Sequence, residues 1–152
     1  MEEQFANLVN RLWRECIRSL SKTLDETEQS KFTNNDYYYL CVIEALGEPN
    51  FSAIAEALNL TKPGVTAIVR KLCNMGLVMK KQSEKDKRVY FVSLTQKGKE
   101  ILNGDREVYR YVTESIASFC KTKEERQFME NVIEMLVQKL EKKNINEGEN
   151  EK

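Results

Sequence analysis

Apolar and polar positions follow a helical period toward both ends of the chain. From Phe5 to Leu24, apolar residues recur every three or four positions, which predicts a long amphipathic helix. The polar stretch from Asp25 to Lys31 predicts a connection. Two more amphipathic helices follow the middle of the chain, one capped by Thr95 and one opened by a capping box at Thr122. Residues 144–152 contain one large apolar residue, so we expect a disordered tail there.

Shorter elements are predicted in the middle of the chain. A helix over Tyr37 to Leu46 ends at Gly47, where a proline follows shortly afterwards. A short helix over Ala53 to Leu58, capped by Ser52, is then separated by a tight turn from a helix that Thr61 caps. Two short helices joined in this way are typical of a helix-turn-helix.

Beyond Gly76 the pattern changes to that of β-strands. The β-prone stretches Leu77 to Lys81 and Arg88 to Leu94 flank the polar loop Gln82 to Lys87, so the sequence predicts a β-hairpin. A hairpin directly after a helix-turn-helix is the wing of a winged helix. The expected fold is therefore mainly α with a small β-hairpin, a winged helix-turn-helix flanked by long helices.

Positive charge is concentrated where the helix-turn-helix and hairpin are predicted. The whole chain is neutral, with 24 basic and 24 acidic residues. Between Thr61 and Lys99, however, ten basic residues stand against two acidic ones, a net charge of +8, and the remainder carries −8. A surface that is merely solvated intersperses both signs. A neutral protein polarised in this way is instead expected to bind a polyanion at one face.

Composition argues against several other classes of site. Histidine is absent and the four cysteines form no paired motif, so we expect no zinc or other metal site. The sequence contains neither a glycine-rich phosphate loop nor a nucleophile motif, and we expect neither an enzyme nor a bound cofactor. No signal peptide or membrane-spanning stretch is evident, which predicts a cytoplasmic protein with reduced thiols.

Four stretches carry a resemblance to a known family: Phe51 to Leu72, Gly76 to Val78, Asp86 to Arg88, and Leu94 with Thr95. In this order and spacing the chain resembles the MarR family of bacterial and archaeal regulators over nearly its whole length. The resemblance implies a homodimer on double-stranded DNA, with a recognition helix in the major groove and wing tips at the minor groove. It also implies four parts: an N-terminal dimerisation helix (residues 1–32), a winged helix-turn-helix DNA-binding domain (33–95), C-terminal dimerisation helices (96–143) and the tail.

The predicted DNA contacts lie on the recognition helix and the wing. Lys62, Thr66 and Arg70 fall on one side of the helix, and Arg70 is the candidate for guanine because its guanidinium offers two donors. At the wing, Arg88 is expected to enter the minor groove and Asp86 to hold it in position. For each wing lysine, a solvated loop residue is the alternative. The full predicted set is Lys62, Gly64, Thr66, Ala67, Arg70, Lys71, Lys80, Lys85, Asp86, Lys87 and Arg88.

Candidates for a small-molecule effector site follow from the resemblance, which implies a cleft between the dimer helices and the DNA-binding lobe. They are Trp13, Cys16, Tyr37, Tyr38 and Tyr39. Each of them also fits a core position, which is the simpler interpretation. A cysteine beside tyrosines on the first helix is similar to the peroxide-sensing branch of the family, although Cys16 equally continues the apolar stripe as a buried, inert thiol.

The function that these observations favour is that of a sequence-specific DNA-binding regulator, a repressor that binds a pseudo-palindromic operator as a homodimer. Release is expected on binding of a small molecule or on thiol oxidation. The main alternative is a winged-helix adaptor that binds protein and no DNA, and such an adaptor would not require a lysine-dense wing. Binding to random duplex at low salt distinguishes the two, because non-specific phosphate contacts are strongest there.

Overall fold

The computed structural model describes the backbone of residues 1–149 and the side chains of residues 1–140. Over this range the protein is mainly helical with one antiparallel hairpin, which confirms the predicted fold class. Its elements are α1 (Glu2–Leu20), α2 (Glu26–Lys31), α3 (Asn34–Ala45), α4 (Phe51–Ala57), α5 (Lys62–Asn74), β1 (Val78–Gln82), β2 (Tyr90–Leu94), α6 (Gln96–Phe119) and α7 (Lys123–Glu149). Among the described helices, none has the length and apolar character needed to cross a membrane.

The chain divides into two compact units, Met1–Tyr109 and Arg110–Lys152. The first unit contains a hydrophobic core to which α3, α4, α5, the hairpin and the first turns of α6 all contribute. The largest fully buried side chains of this core are Leu24, Leu40, Ile43, Ile54, Val65, Val69, Leu72, Leu77 and Val92. Removal of these aliphatic groups from water is the main driving force for folding of the unit.

Helix starts in the structure carry the capping contacts that the sequence predicts. Thr61 Oγ1 accepts a hydrogen bond from the Gly64 amide at 3.3 Å, which opens α5. Thr122 Oγ1 accepts one from the Glu125 amide at 3.2 Å, and the Glu125 carboxylate accepts one from the Thr122 amide at 3.3 Å, which opens α7. Each contact satisfies amides that have no partner inside the helix, so local sequence alone sets where these helices begin.

The turn between α4 and α5 depends on Asn59. This residue has a φ of 50°, a left-handed conformation that asparagine tolerates better than most residues. The reversal lets the Leu60 amide donate to the carbonyl oxygen of Ala55 at 2.9 Å, which closes the end of α4. The predicted helix-turn-helix is thereby confirmed, with α5 as its second helix.

The hairpin is anchored to the rest of the unit at its base, where β1 begins and β2 ends. β1 and β2 pair antiparallel with Val78 opposite Leu94 and Gln82 opposite Tyr90. The Thr95 hydroxyl donates to the carbonyl oxygen of Gly76 at 2.6 Å and accepts from the Gly98 amide at 3.1 Å, so one side chain caps α6 and ties it to the entry of β1. Gly98 permits this approach, since a Cβ there would lie 2.2 Å from the Leu77 carbonyl oxygen. The wing is therefore held rigidly at its base.

Three predicted assignments in the N-terminal half are wrong. α1 ends at Leu20, and the stretch predicted as a connection contains the helix α2. The reason is a second capping box, in which Asp25 Oδ1 accepts from the Glu28 amide at 2.8 Å and the Glu28 carboxylate accepts from the Asp25 amide at 3.2 Å. α4 begins one residue after Asn50, which caps it in place of Ser52 by accepting from the Ala53 amide at 2.9 Å.

Two other boundaries also differ from the predicted ones. β2 begins at Tyr90 and not at Arg88, because the Val89 amide donates to the Asp86 carbonyl oxygen at 3.0 Å and keeps residues 86–89 in a turn. The backbone of α7 continues to Glu149, beyond residue 143, after which the sequence predicts a disordered tail. The end of that predicted tail, residues 150–152, lies outside the described residues.

Candidate nucleic-acid interface and aromatic cavity

α5 presents a polar face outward because its apolar residues recur with the helical period. Val65, Val69 and Leu72 are buried against the core, whereas Lys62, Thr66, Ala67 and Arg70 are exposed and Gly64 is half-buried. The structure thus places five of the six predicted recognition-helix residues on or beside one accessible face. The Thr66 hydroxyl donates to the Lys62 carbonyl oxygen at 2.9 Å, which leaves the methyl group and the oxygen lone pairs of Thr66 for a ligand.

Lys71 differs from the other predicted contacts of α5. Its Nζ lies 2.5 Å from Oδ2 of Asp36 at the start of α3, where the Asp36 side chain is 4% exposed and that of Lys71 is 41% exposed. The same carboxylate oxygen accepts hydrogen bonds from the amide and hydroxyl of Thr33, both at 2.7 Å. A buried carboxylate needs such partners, so the ammonium of Lys71 has a structural partner inside the protein.

The wing tip brings Asp86 and Arg88 together. Asp86 Oδ1 accepts a hydrogen bond from the Arg88 amide at 2.9 Å and lies 3.9 Å from Nε of the Arg88 guanidinium. The Ser83 hydroxyl accepts from the amides of Lys85 and Asp86, both at 3.3 Å. The backbone of the tip is therefore ordered by side-chain acceptors, while the Arg88 side chain itself is 95% exposed. The predicted lysines Lys80, Lys85 and Lys87 are all exposed as well.

One basic residue beside α5 was missed by sequence reasoning. Lys31, at the end of α2, lines a groove of about 460 Å³ together with Arg70 and Lys71. The polar composition of its segment predicts a connection, whereas the capping-box pattern at Asp25 is the local signal for the helix α2. The groove adds a cation to the surface that α5 and the wing present.

A second feature of the Met1–Tyr109 unit is a cavity of about 430 Å³, which we call the aromatic cavity. It is lined by Trp13, Cys16, Ile17, Leu20, Gln29, Phe32, Asn34, Tyr37, Asp105 and Tyr109. Three of the five predicted effector residues line it, namely Trp13, Cys16 and Tyr37. Tyr38 is instead 54% exposed, and Tyr39 packs against the core. Successive helix positions differ by about 100°, so neighbouring tyrosines on α3 cannot share one wall.

The cysteine thiol and the tyrosine hydroxyls around the cavity have raised pKa values. Burial, followed by the nearby charge of Asp105, raises the pKa of the Cys16 thiol from 9.0 to about 11. The same two causes, in the same order, raise the pKa values of the Tyr37 and Tyr109 hydroxyls. The raised pKa lowers the fraction of Cys16 that is present as the thiolate, which is the form that oxidants attack.

The winged-helix part of the chain matches a known protein family. The family model described as MarR family matches residues 32–90, the segment that holds α3, α4, α5 and most of the wing. Residues 32–90 thus match the MarR family, and this segment holds the helix-turn-helix. The uncharacterised HTH-type transcriptional regulator YkoM of Bacillus subtilis (strain 168) is 27% identical to this chain over 105 residues, which cover 67% of this chain and 68% of YkoM.

Solved structures share the fold of this chain. The crystal structure of the S. aureus MepR–DNA complex superposes with a TM-score of 0.67 at 19% identity and covers 91% of this chain and 98% of MepR. The YusO protein from Bacillus subtilis gives a TM-score of 0.59 at 25% identity, covering 90% of this chain and 92% of YusO. The order of helices and wing in this chain is thus that of proteins with known structures.

Proposed function

We propose that this regulator binds specific double-stranded DNA through α5 and the wing. The observation that carries the proposal is the outward row of Lys62, Thr66 and Arg70 on a helix whose opposite face is buried, next to an ordered wing tip with an exposed Arg88. In the proposed complex Arg70 contacts a base edge in the major groove and Arg88 enters a narrow minor groove. A MepR structure with DNA, which has the same fold, supports this mode of binding. A chromosome-bound regulator of this kind acts in the cytoplasm.

We further propose that the regulator acts as a homodimer on a pseudo-palindromic operator. Exposed apolar side chains run along α1, at Phe5, Leu8, Val9, Trp13 and Ile17, and along α7, at Phe128, Ile133, Leu136, Val137 and Leu140. Such continuous apolar rows are rare on a free monomer and are expected to be covered by a second copy. Sedimentation equilibrium at micromolar concentration is expected to give the dimer mass, and a well-folded monomer would contradict the proposal.

We also propose that the regulator is a repressor and that a small molecule bound in the aromatic cavity releases it from DNA. The cavity volume suits a drug-sized ligand. Tyr37 lines the cavity, and the adjacent Asp36 bonds to Lys71 on α5, so a ligand that shifts the start of α3 is coupled to the recognition helix. Release by oxidation of Cys16 is not part of this proposal, because the raised thiol pKa disfavours the reactive form.

DNA binding itself is tested with fluorescence anisotropy on a labelled random duplex at low salt, followed by selection of bound genomic fragments. The full chain is expected to bind the random duplex with a steep dependence on salt concentration, and selected fragments more tightly. Arg70→Ala is expected to abolish the preference for selected fragments while retaining non-specific binding. The alternative of a protein-binding adaptor predicts no binding to any duplex, even at low salt.

A further inference from the structure

A hydrogen-bonded pair of side chains, Gln82 and Tyr90, lies where the two strands of the hairpin meet the wing tip. The two residues are directly opposite each other, Gln82 at the end of β1 and Tyr90 at the start of β2. Nε2 of Gln82 donates to the hydroxyl oxygen of Tyr90 at 3.2 Å and to the carbonyl oxygen of Lys87 at 2.6 Å. One amide group therefore joins both strands to the turn that holds Arg88.

The strand register shows which face of the hairpin carries this pair. Side chains alternate between the two faces of a strand, so Tyr90 lies on the same face as Val92 and Leu94. Both of those residues are buried in the core, and β1 lies against α5. Tyr90 continues this face beyond the edge of the core, where it is 40% exposed. The wing thus presents an accessible aromatic hydroxyl next to its tip.

The hydrogen bonds of the pair leave one donor unused. The Tyr90 oxygen accepts from Gln82, but the Tyr90 O–H has no acceptor among the described contacts. A hydroxyl that already accepts one hydrogen bond is polarised and becomes a better donor. Cations flank it, because Lys80 lies on the same face of β1 and Arg88 stands two residues before Tyr90. Such a set of donors and positive charges suits an anionic acceptor.

We propose that the Tyr90 hydroxyl donates a hydrogen bond to a phosphate oxygen of the DNA backbone, beside the minor groove that Arg88 enters, with Gln82 as its positioning residue. The inference rests on the proposed DNA-binding function and adds to it a neutral contact. Tyrosine is among the side chains that hold a protein in register on the DNA backbone. Because Gln82 binds both the hydroxyl and the Lys87 carbonyl, it fixes the phosphate contact and the turn of Arg88 relative to each other.

Tyr90→Phe removes the hydroxyl and keeps the ring. Anisotropy with a labelled random duplex, measured over a range of salt concentrations, is expected to show a Kd about tenfold higher, the lower end for a hydrogen bond to a charged group because the wing is exposed to solvent. The slope of log Kd against log salt is expected to keep its wild-type value, since a neutral donor releases no counter-ions. Lys85→Ala is the contrasting case, because loss of a cationic phosphate contact lowers that slope by about one.

Tyr111→Phe is the matched control. Tyr111 is 73% exposed and belongs to the Arg110–Lys152 unit, so its loss of a hydroxyl should leave Kd unchanged. Urea unfolding of Tyr90→Phe is expected to match that of the wild-type chain. If the hydroxyl only stiffened the wing, Arg88 would lose its position and the salt slope would fall together with the affinity. An unchanged Kd for Tyr90→Phe, or a slope lowered by about one, would overturn the phosphate contact.

Gln82→Met tests the positioning role, since it keeps the length of the side chain and removes both of its donors. It is expected to weaken duplex binding more than Tyr90→Phe does, because it also releases the Lys87 carbonyl. In the Gln82→Met background, the further change Tyr90→Phe should raise Kd by no more than about twofold, because residues that act through one contact are not additive. Independent effects of the two changes would overturn the role of Gln82.

Single neutral methylphosphonates, placed one at a time in a duplex selected for tight binding, locate the contact. At the contacted phosphate the wild-type chain is expected to lose more affinity than Tyr90→Phe does, and at other positions the two should lose equally. Equal losses at every position would overturn the inference. A wild-type chain that binds no duplex at low salt would contradict the proposed function as well, whereas a wild-type chain that binds no better than Tyr90→Phe would contradict the inference alone.

Discussion

The ion pair between Asp36 and Lys71 provides the sharpest test of the structure, because sequence reasoning assigned Lys71 to DNA. Asp36 Oδ2 receives three donors, the amide and hydroxyl of Thr33 and the ammonium of Lys71. Asp36→Ala removes all three contacts together with the capping box of α3. Asp36→Asn keeps an acceptor for Thr33 and removes only the charge that faces Lys71.

The expected losses in free energy of unfolding follow from how deeply the two side chains are buried. A hydrogen bond to a charged group contributes about 1.5–3 kcal/mol, but Lys71 is 41% exposed and its share is reduced by solvent. We therefore expect Asp36→Asn to cost about 1 kcal/mol and Asp36→Ala about 3 kcal/mol, including the lost cap. For a chain of this length, 3 kcal/mol lowers Tm by roughly 6–12 °C.

Lys71→Met tests the other partner, since it keeps the aliphatic stem and removes the ammonium. It leaves the Asp36 carboxylate buried with Thr33 as its only donor among the described contacts, and we expect a loss of about 1–2 kcal/mol. Urea unfolding of both single variants and of the double variant Asp36→Asn/Lys71→Met gives the coupling energy, expected to be about 0.5–2 kcal/mol. Strict additivity of the two changes would refute the ion pair.

Lys71→Met also distinguishes a structural role of Lys71 from a DNA-binding role. If Lys71 serves Asp36, the salt dependence of duplex binding by Lys71→Met keeps the wild-type slope. If Lys71 contacts a phosphate, the slope falls by about one, as we expect for Lys85→Ala at the wing. A reduced slope with unchanged stability would restore the assignment made from the sequence and contradict the structural one.

Four further predictions concern other parts of the Met1–Tyr109 unit. Gly98→Ala places a Cβ 2.2 Å from backbone, so urea unfolding should show a loss of several kcal/mol, roughly 2–4; a neutral effect would mean that α6 can move away freely. At the wing, Asp86→Ala should weaken duplex binding at fixed salt although it removes a negative charge, because Asp86 holds the Arg88 amide; equal or tighter binding would remove this positioning role. Arg88→Ala should cost about 1–3 kcal/mol of binding, and Arg88→Lys should also weaken it. The Cys16 thiol binds its proton more tightly in the folded than in the unfolded state, so stability should fall as pH rises from 9 to 11. Cys16→Ala should make that fall shallower, and an unchanged pH profile would contradict the raised pKa.

Much of the fold was predictable because its signals are local. Thr61 and Thr122 mark helix starts through contacts within four residues, and Asn59 marks the turn through its own backbone preference. α2 also has a local signal, the capping box between Asp25 and Glu28, so the sequence contains the information that places this helix. Asn50 and Ser52 are both suitable N-cap residues for α4, and local sequence alone does not decide between them. The backbone geometry before α4 makes Asn50 the cap.

The candidate DNA interface was also largely predictable. Helical periodicity separates the buried Val65 and Val69 from the exposed Lys62 and Arg70 without any tertiary information. Lys71 lies at the edge of that face, and its ammonium group binds Asp36, 35 positions earlier in the chain. No periodicity encodes such a contact, because it arises only when α3 and α5 pack together.

By itself, the sequence determined the helices, the turn, the wing and the polarity of α5, since each of these depends on neighbours within about one helical turn. The aromatic cavity was decided by the tertiary structure. Trp13, Phe32 and Tyr37 come from separate segments, and Asp105 belongs to a stretch of α6 whose pattern is that of an ordinary polar helix surface. Packing buries the Asp105 side chain among aromatic rings, and a polar group removed from water needs its partners within the protein.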